Sequence, residues 1–258
     1  MKRILFFFLA LALSLTAAAQ HDDHVSVGAG VGTDGFSIEI ATRLGNHLDI
    51  RTGYNRAFGL VGYTVKGVSL PEHPGNPTGA GVNVPLNIKL GMNDAHLLVN
   101  IYPSATGSFH FTVGAYMGAQ RFARIKATGM PADYNTIGFD VDGYLVTAHN
   151  GVLDAYLGAP GLGSPTFAVK PYVGIGFGRA VSTDRKVSFV FDLGAQYQGK
   201  PAIWAQGEGL TGRVQDVQLP VDLLFKSNTG SASDTYDKYA GYLAFWPTLN
   251  FHVYVNLF

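Results

Sequence analysis

The chain has no cysteine. Disulfides, thiolate metal sites, cysteine nucleophiles and a lipid anchor on a cysteine behind a leader are all excluded. Charge is sparse too: 14% of residues are Asp, Glu, Lys or Arg, and the 18 basic and 18 acidic side chains cancel. Nothing in that balance invites a polyanion, so no nucleic-acid partner is expected. Beyond one short apolar run near the N-terminus there is no stretch of the about 20 residues that a membrane helix requires. An exported chain without such a helix is soluble or spans as a closed β-barrel, because lipid leaves the backbone no other way to satisfy its hydrogen bonds.

The N-terminus supplies the export signal. Lys2 and Arg3 precede an apolar stretch from Ile4 to Leu15, and small residues follow at Ala17, Ala18 and Ala19. That order is a secretory signal peptide. Cleavage is expected after Ala19, leaving residues 20–258 as a single domain.

The rest is rich in what strands and turns use: 33 Gly, 17 Phe and 13 Tyr. Its dominant pattern has period 2, the side-chain alternation of a strand. Val25, Val27, Ala29 and Val31 alternate with Ser26, Gly28, Gly30 and Gly32. Seven further segments do the same: from Phe36, Leu48, Leu97, Phe109, Val169, Val187 and Leu249 onward. Eight such strands predict an antiparallel up-and-down β-barrel. A second pattern at Val82, Val84, Leu86, Ile88 and Leu90, with a weaker one at Val61, Tyr63 and Val65, is either an outer hairpin or two more crossings, giving ten.

Alternation alone also fits a soluble sandwich. Loop lengths separate the two. The even connections, Leu44–Asn46, Pro103–Ser108 and Ser182–Lys186, are short, whereas three of the four odd ones are long: about Arg56–Ala95, Thr128–Thr166 and Lys200–Ala244. Short periplasmic turns with long outer loops mark an outer-membrane barrel. The inward face is a second discriminator. It carries Glu39, Arg43, Asp49, Arg51, His110, Lys170 and Asp192, of both signs. In a dry sandwich core these are costly; in a barrel too narrow for more than side chains they pair as a polar plug. Phe109, Phe177, Phe189, Tyr54, Tyr197, Trp204, Phe245 and Trp246 are expected at strand ends as interfacial girdles.

The leader, the Gly-rich first strand and the final strand ending at Phe258 resemble small outer-membrane barrels of the OmpA/OmpX type. The runs Leu97–Pro103, Phe109–Tyr116 and Pro171–Arg179 are similar to outer-membrane barrels of Bacteroides-type bacteria. The resemblance covers the strands and not the long loops. It implies residence in the outer membrane, contact with its lipid, and insertion by the barrel-assembly machinery, which in the family reads a terminal aromatic strand. Here Leu257, Val255, Val253 and Phe251 share the apolar face, while Phe258 shares parity with Asn250, His252 and Asn256.

No motif points to a cofactor, a metal or catalysis. Gly30-Val31-Gly32-Thr33-Asp34-Gly35 matches a dinucleotide fingerprint, but period 2 follows it where a helix is required, so it reads as a hairpin turn. His21, Asp22, Asp23 and His24 sit at a free terminus with nothing to fix their geometry. His73 and His149 with Asp140, Asp142 and Asp154 lack the spacing of a nucleophile elbow. The sequence thus predicts a surface anchor whose long loops meet an extracellular partner. A narrow passive channel and a lipid-modifying or proteolytic barrel enzyme are the alternatives.

Overall fold

The computed structural model describes residues 24–57, 62–69, 83–119, 121–129, 139–141, 144–219 and 241–257. The expected signal peptide, residues 21–23, Val61, His73, Val82, Asp142 and Phe258 lie outside them. In chain order the strands are β1 (Val25–Gly32), β2 (Gly35–Arg43), β3 (Leu48–Ala57), β4 (Gly62–Ser69), β5 (Asn83–Leu90), β6 (Met92–Ile101), β7 (Phe109–Ala119) and β8 (Arg121–Thr128). They continue as β9 (Phe139–Val141), β10 (Tyr144–Val146), β11 (Val152–Gly158), β12 (Leu162–Ser164), β13 (Phe167–Phe177), β14 (Val187–Tyr197), β15 (Ala202–Gly209), β16 (Val214–Gln218) and β17 (Phe245–Asn256).

Eight of these close on themselves in the order β1-β2-β3-β6-β7-β13-β14-β17 and back to β1, every pair antiparallel. Closure leaves this sheet no open edge along its length. The connections at residues 44–47, 102–108 and 178–186 gather at one end of the barrel, and the long ones at the other. The Gly-x-Gly motif is a hairpin, as period 2 predicts: Gly32 faces Gly35, whose φ of +93° would strain any residue with a Cβ.

The segment near Val82–Leu90 is not a pair of barrel crossings. β4 pairs with β5, and β5 pairs with β8, in a second sheet ordered β4-β5-β8-β11-β15-β10-β9, with β16 added on β15. β5 leads through Gly91 into β6, and β7 leads on into β8, so two neighbouring barrel strands extend beyond the barrel mouth. The long outer connections are therefore not simple loops. They build a sheet whose own core is Ala127, Val146, Leu153, Ala155, Ala205 and Val217.

The barrel is inverted relative to a water-soluble fold. Its outward residues are apolar and exposed: Ile38 is 67% exposed and Val173 63%. Val31, Phe36, Phe111, Ile175, Leu193, Leu249 and Val255 are exposed in the same way. Its inward residues are polar and buried. β13 and β14 have 11 residues each. At about 3.4 Å per residue and a tilt of roughly 40° they rise about 28 Å, which matches the apolar band of an outer-membrane barrel.

Aromatic rings gather at both ends of that band. Toward the short turns, Phe109 packs 5.1 Å from Phe111 and 5.4 Å from Phe177, and Phe189 lies 6.1 Å from Phe251. Toward the mouth, Tyr197 meets Phe245 at 5.4 Å, and Tyr54 is exposed on β3, on another side of the ring. Two residues expected in the girdles are elsewhere. Trp204 belongs to β15 of the second sheet. Trp246, opposite the inward Gln196, stacks on Phe122 at 6.0 Å and joins barrel to sheet.

Candidate functional site

Alternation turns every second side chain of the eight strands into the lumen, and the lumen is full. Arg51, Lys170, His96, His110, Tyr116, Tyr172, Tyr254 and Gln196 are at most 2% exposed. Small residues make the room. A Cβ on Gly176 would sit 2.7 Å from Asp192 Oδ1 and 2.7 Å from His110 Cε1, so only glycine lets those two side chains meet there.

The middle tier is built on two carboxylates. Glu39 Oε1 lies 3.0 Å from His96 Nε2 and 2.9 Å from His252 Nε2. Its Oε2 accepts the Tyr254 hydroxyl and lies 3.8 Å from Arg51 Nη1. Asp192 Oδ2 accepts from Arg51 Nη1 at 2.8 Å, and Oδ1 lies 3.0 Å from His110 Nε2. His252 spans both carboxylates, with Nδ1 3.7 Å from Asp192. Strands β2, β3, β6, β7, β14 and β17 thus meet in one cluster.

Nearer the mouth, Lys170 Nζ donates to Asp94 Oδ2 at 2.7 Å. Gln196 Nε2 donates to Asp34 Oδ2 at 2.9 Å and to Thr248 Oγ1 at 3.2 Å. Asp34 sits in the β1–β2 turn outside the strands; burial pushes its carboxyl above the usual range, partly countered by the Lys170 charge. Toward the short turns, Tyr102 donates to Asp49 Oδ2 at 2.8 Å, and Thr112 donates to Asn100 Oδ1 at 3.0 Å. The base is closed by the 178–186 connection. Its Ala180 and Val181 are fully buried against Ala41, Val190 and Tyr254. Arg179 from the same connection donates to the carbonyls of Ser104, Ala105 and Gly107 at 2.7–2.9 Å and covers the Tyr102 ring at 4.1 Å.

Of the seven residues read from the sequence, Glu39, Arg51, His110 and Asp192 meet in the middle tier. Lys170 is in the upper tier and Asp49 in the lower. Arg43 needs correcting. It is only half-buried, and its guanidinium turns to Gly45 O and Asn46 Oδ1, both 2.8 Å away. It ends its strand, so the nearest acceptors are those of the turn. His96, His252, Tyr254 and Asp94 were not singled out, although they share the inward parity; which partners they reach depends on how the barrel closes.

The lumen holds five buried carboxylates, Asp34, Glu39, Asp49, Asp94 and Asp192, against two permanent cations, Arg51 and Lys170. Three histidines, His96, His110 and His252, stand among them. Each unpaired buried charge costs several kcal/mol, and every one of the five has a partner: Glu39 and Asp192 meet the histidines and Arg51, Asp94 meets Lys170, Asp49 the Tyr102 hydroxyl and Asp34 the Gln196 amide. The arrangement ties strands together across the lumen. In the outer sheet, His149 is exposed and bonded through its backbone to Val152, and Asp154 is engaged by Arg124 and Lys126. Among the described residues no three His, Asp or Glu are grouped to hold a metal.

No family model matches the chain, and no curated protein matches it. Two solved structures from Acinetobacter baumannii are similar. CarO2 is 16% identical, with a TM-score of 0.47 over 90% of this chain and 98% of that one. CarO is 15% identical, with a TM-score of 0.41 over 90% of this chain and 97% of that one. The barrel is defined by its own strand pairing and not by these likenesses.

Proposed function

We propose that the chain is an outer-membrane anchor: a barrel with a plugged polar lumen that holds the second sheet outside the cell as an interaction surface. The observation that carries this reading is the inversion. Exposed Ile, Val, Leu and Phe encircle the barrel while Glu39, Arg51, Lys170 and Asp192 are buried within it. A soluble barrel would aggregate through a belt of that size, whereas lipid tails cover it without cost. The leader would be removed on export, the barrel-assembly machinery would insert the chain, and the short turns would face the periplasm.

The filled lumen favours an anchor over a channel, because the middle tier and the Ala180–Val181 plug leave no side chain at rest in open water. The protein would act by binding and not by catalysis. Purified protein in planar bilayers is expected to stay silent, and stable single-channel steps would replace the anchor with a channel. On fractionation the chain should sediment with outer membranes and shift mobility on heating; recovery from the soluble periplasm would remove the membrane reading.

A further inference from the structure

The second sheet has two unlike faces. One is the small apolar core already described. The other is polar, and it lines a cleft of about 520 Å³ between β15–β16 and the β12–β13 hairpin. That volume lies in the range of small-molecule sites, about 300–1,000 Å³. We propose that this cleft binds a neutral saccharide.

The floor is Trp204. Its indole Nε1 donates to Gly158 O at 3.3 Å, which fixes the ring while its remaining surface lines the cleft. Gln206 follows two residues on, on the same face, and Asp216 faces it across the β15–β16 pair. Val214, two residues from Asp216 on the same face, adds an apolar edge, and Gln215 borders the cleft from the opposite face of β16. The opposite wall is the turn Ser164–Thr166. Ser164 Oγ and Thr166 Oγ1 are 2.7 Å apart, and Ser164 Oγ accepts the Phe167 amide, so the wall is preformed. Behind the cleft, Arg121 lies over the Tyr156 ring at 4.3 Å and reaches Asp216 Oδ2 only at 3.7 Å. A bulge between Leu157 and Gly158 turns this end of the β8–β11 pair. Asp216 Oδ1 is buried without a hydrogen-bond partner.

These groups select one ligand chemistry. A flat indole favours a ring with an apolar face. The Gln206 amide and two hydroxyls both donate and accept, which suits neighbouring sugar hydroxyls. The Asp216 carboxylate, faced by the Tyr156 hydroxyl and Arg121, keeps one oxygen open to a donor on the ligand, and it repels phosphate or carboxylate. A purely aliphatic ligand would bury those polar groups unpaired, each at a desolvation cost. The cleft faces outward on the orientation proposed above, but binding by purified protein does not depend on that orientation.

The chain has two tryptophans, so Trp246→Phe leaves Trp204 as the sole indole reporter. The test uses this variant of the full mature chain, folded in an amine-oxide detergent because sugar detergents would compete. It is titrated with malto-, cello- and chito-hexaose and with galactomannan, while heat-shifted mobility verifies the fold. At least one probe is expected to give a saturable change in Trp204 emission. Added Asp216→Asn or Gln206→Ala should then weaken binding tenfold or more. No saturable change with any of the four probes overturns the proposal, as does undiminished binding by both added variants. Binding in detergent without binding by intact cells would support the cleft and refute the outward orientation.

Discussion

Arg51 and Asp192 lie on β3 and β14, four strands apart either way round an eight-stranded ring, and still meet at 2.8 Å. One guanidinium therefore bridges the full width of the barrel. Both side chains are at most 2% exposed, so loss of either strands its partner in a low-dielectric space. Arg51→Met alone should cost about 3–5 kcal/mol, the range for breaking a buried ion pair, and so should Asp192→Leu. Arg51→Met with Asp192→Leu should recover much of that loss, because it removes both charges and keeps volume. Urea titration of protein folded into lipid vesicles measures the cycle; a double variant as unstable as the sum of its singles would show that the two residues do not act as a pair.

The apolar belt is tested by placing charge on it. Val173 is next to the middle of an eleven-residue strand and 63% exposed. In lipid, Val173→Lys near the midplane should cost about 2–4 kcal/mol. On the surface of a soluble barrel the same change stays within about 0.5 kcal/mol. Folding yield and urea midpoint in vesicles distinguish the two, and an unaffected midpoint speaks for a water-facing belt.

How much of this was legible in the sequence differs from part to part. Alternation placed Glu39, Arg51, His110, Lys170 and Asp192 on one face because parity survives any register. It did not say that Arg51 would find Asp192, since that contact is set by the tilt and stagger with which the sheet closes. Arg43 had the right parity and the wrong neighbours: at a strand end, the turn carbonyl of Gly45 is closer than the lumen. The second sheet was mostly hidden. β8 pairs with β5 and β11, and β11 pairs with β15, partners so far apart in the chain that no local turn announces them. Of the hairpins joined locally, β4–β5 left a readable trace in the alternation of Val84, Leu86, Ile88 and Leu90.

Two carboxylates show how burial decides the worth of an ion pair. Asp154 receives Arg124 through both Nε and Nη2, yet its side chain is 39% exposed and that of Arg124 59%. Asp192 has comparable partners in a closed lumen. Asp154→Asn should shift stability by less than about 1 kcal/mol, the range of surface pairs. Asp192→Asn should cost several times more, because Arg51 then loses its closest counter-charge. Parallel urea titrations check the ratio; equal effects would mean that the lumen is as wet as the outer surface.

The base of the barrel is held by one arginine. Arg179 follows β13 and bonds three carbonyls of the β6–β7 connection, while its plane covers Tyr102, which in turn donates to Asp49. The turns of two hairpins are thereby latched over the lumen floor. Lysine cannot reproduce that fan of donors, since its ammonium is a compact point and not a planar fork. Arg179→Lys should therefore behave nearly as Arg179→Ala does. Each should leave the barrel folded but raise amide exchange within Ser104–Gly107, where the bonds to Arg179 end. The loss expected is about 0.5–1.5 kcal/mol of local protection, the net worth of a hydrogen bond, because these carbonyls are exposed or half-buried. Hydrogen exchange read by mass spectrometry measures it. Unchanged exchange in that turn, or full rescue by lysine, would show that charge near the floor matters and that the latch does not.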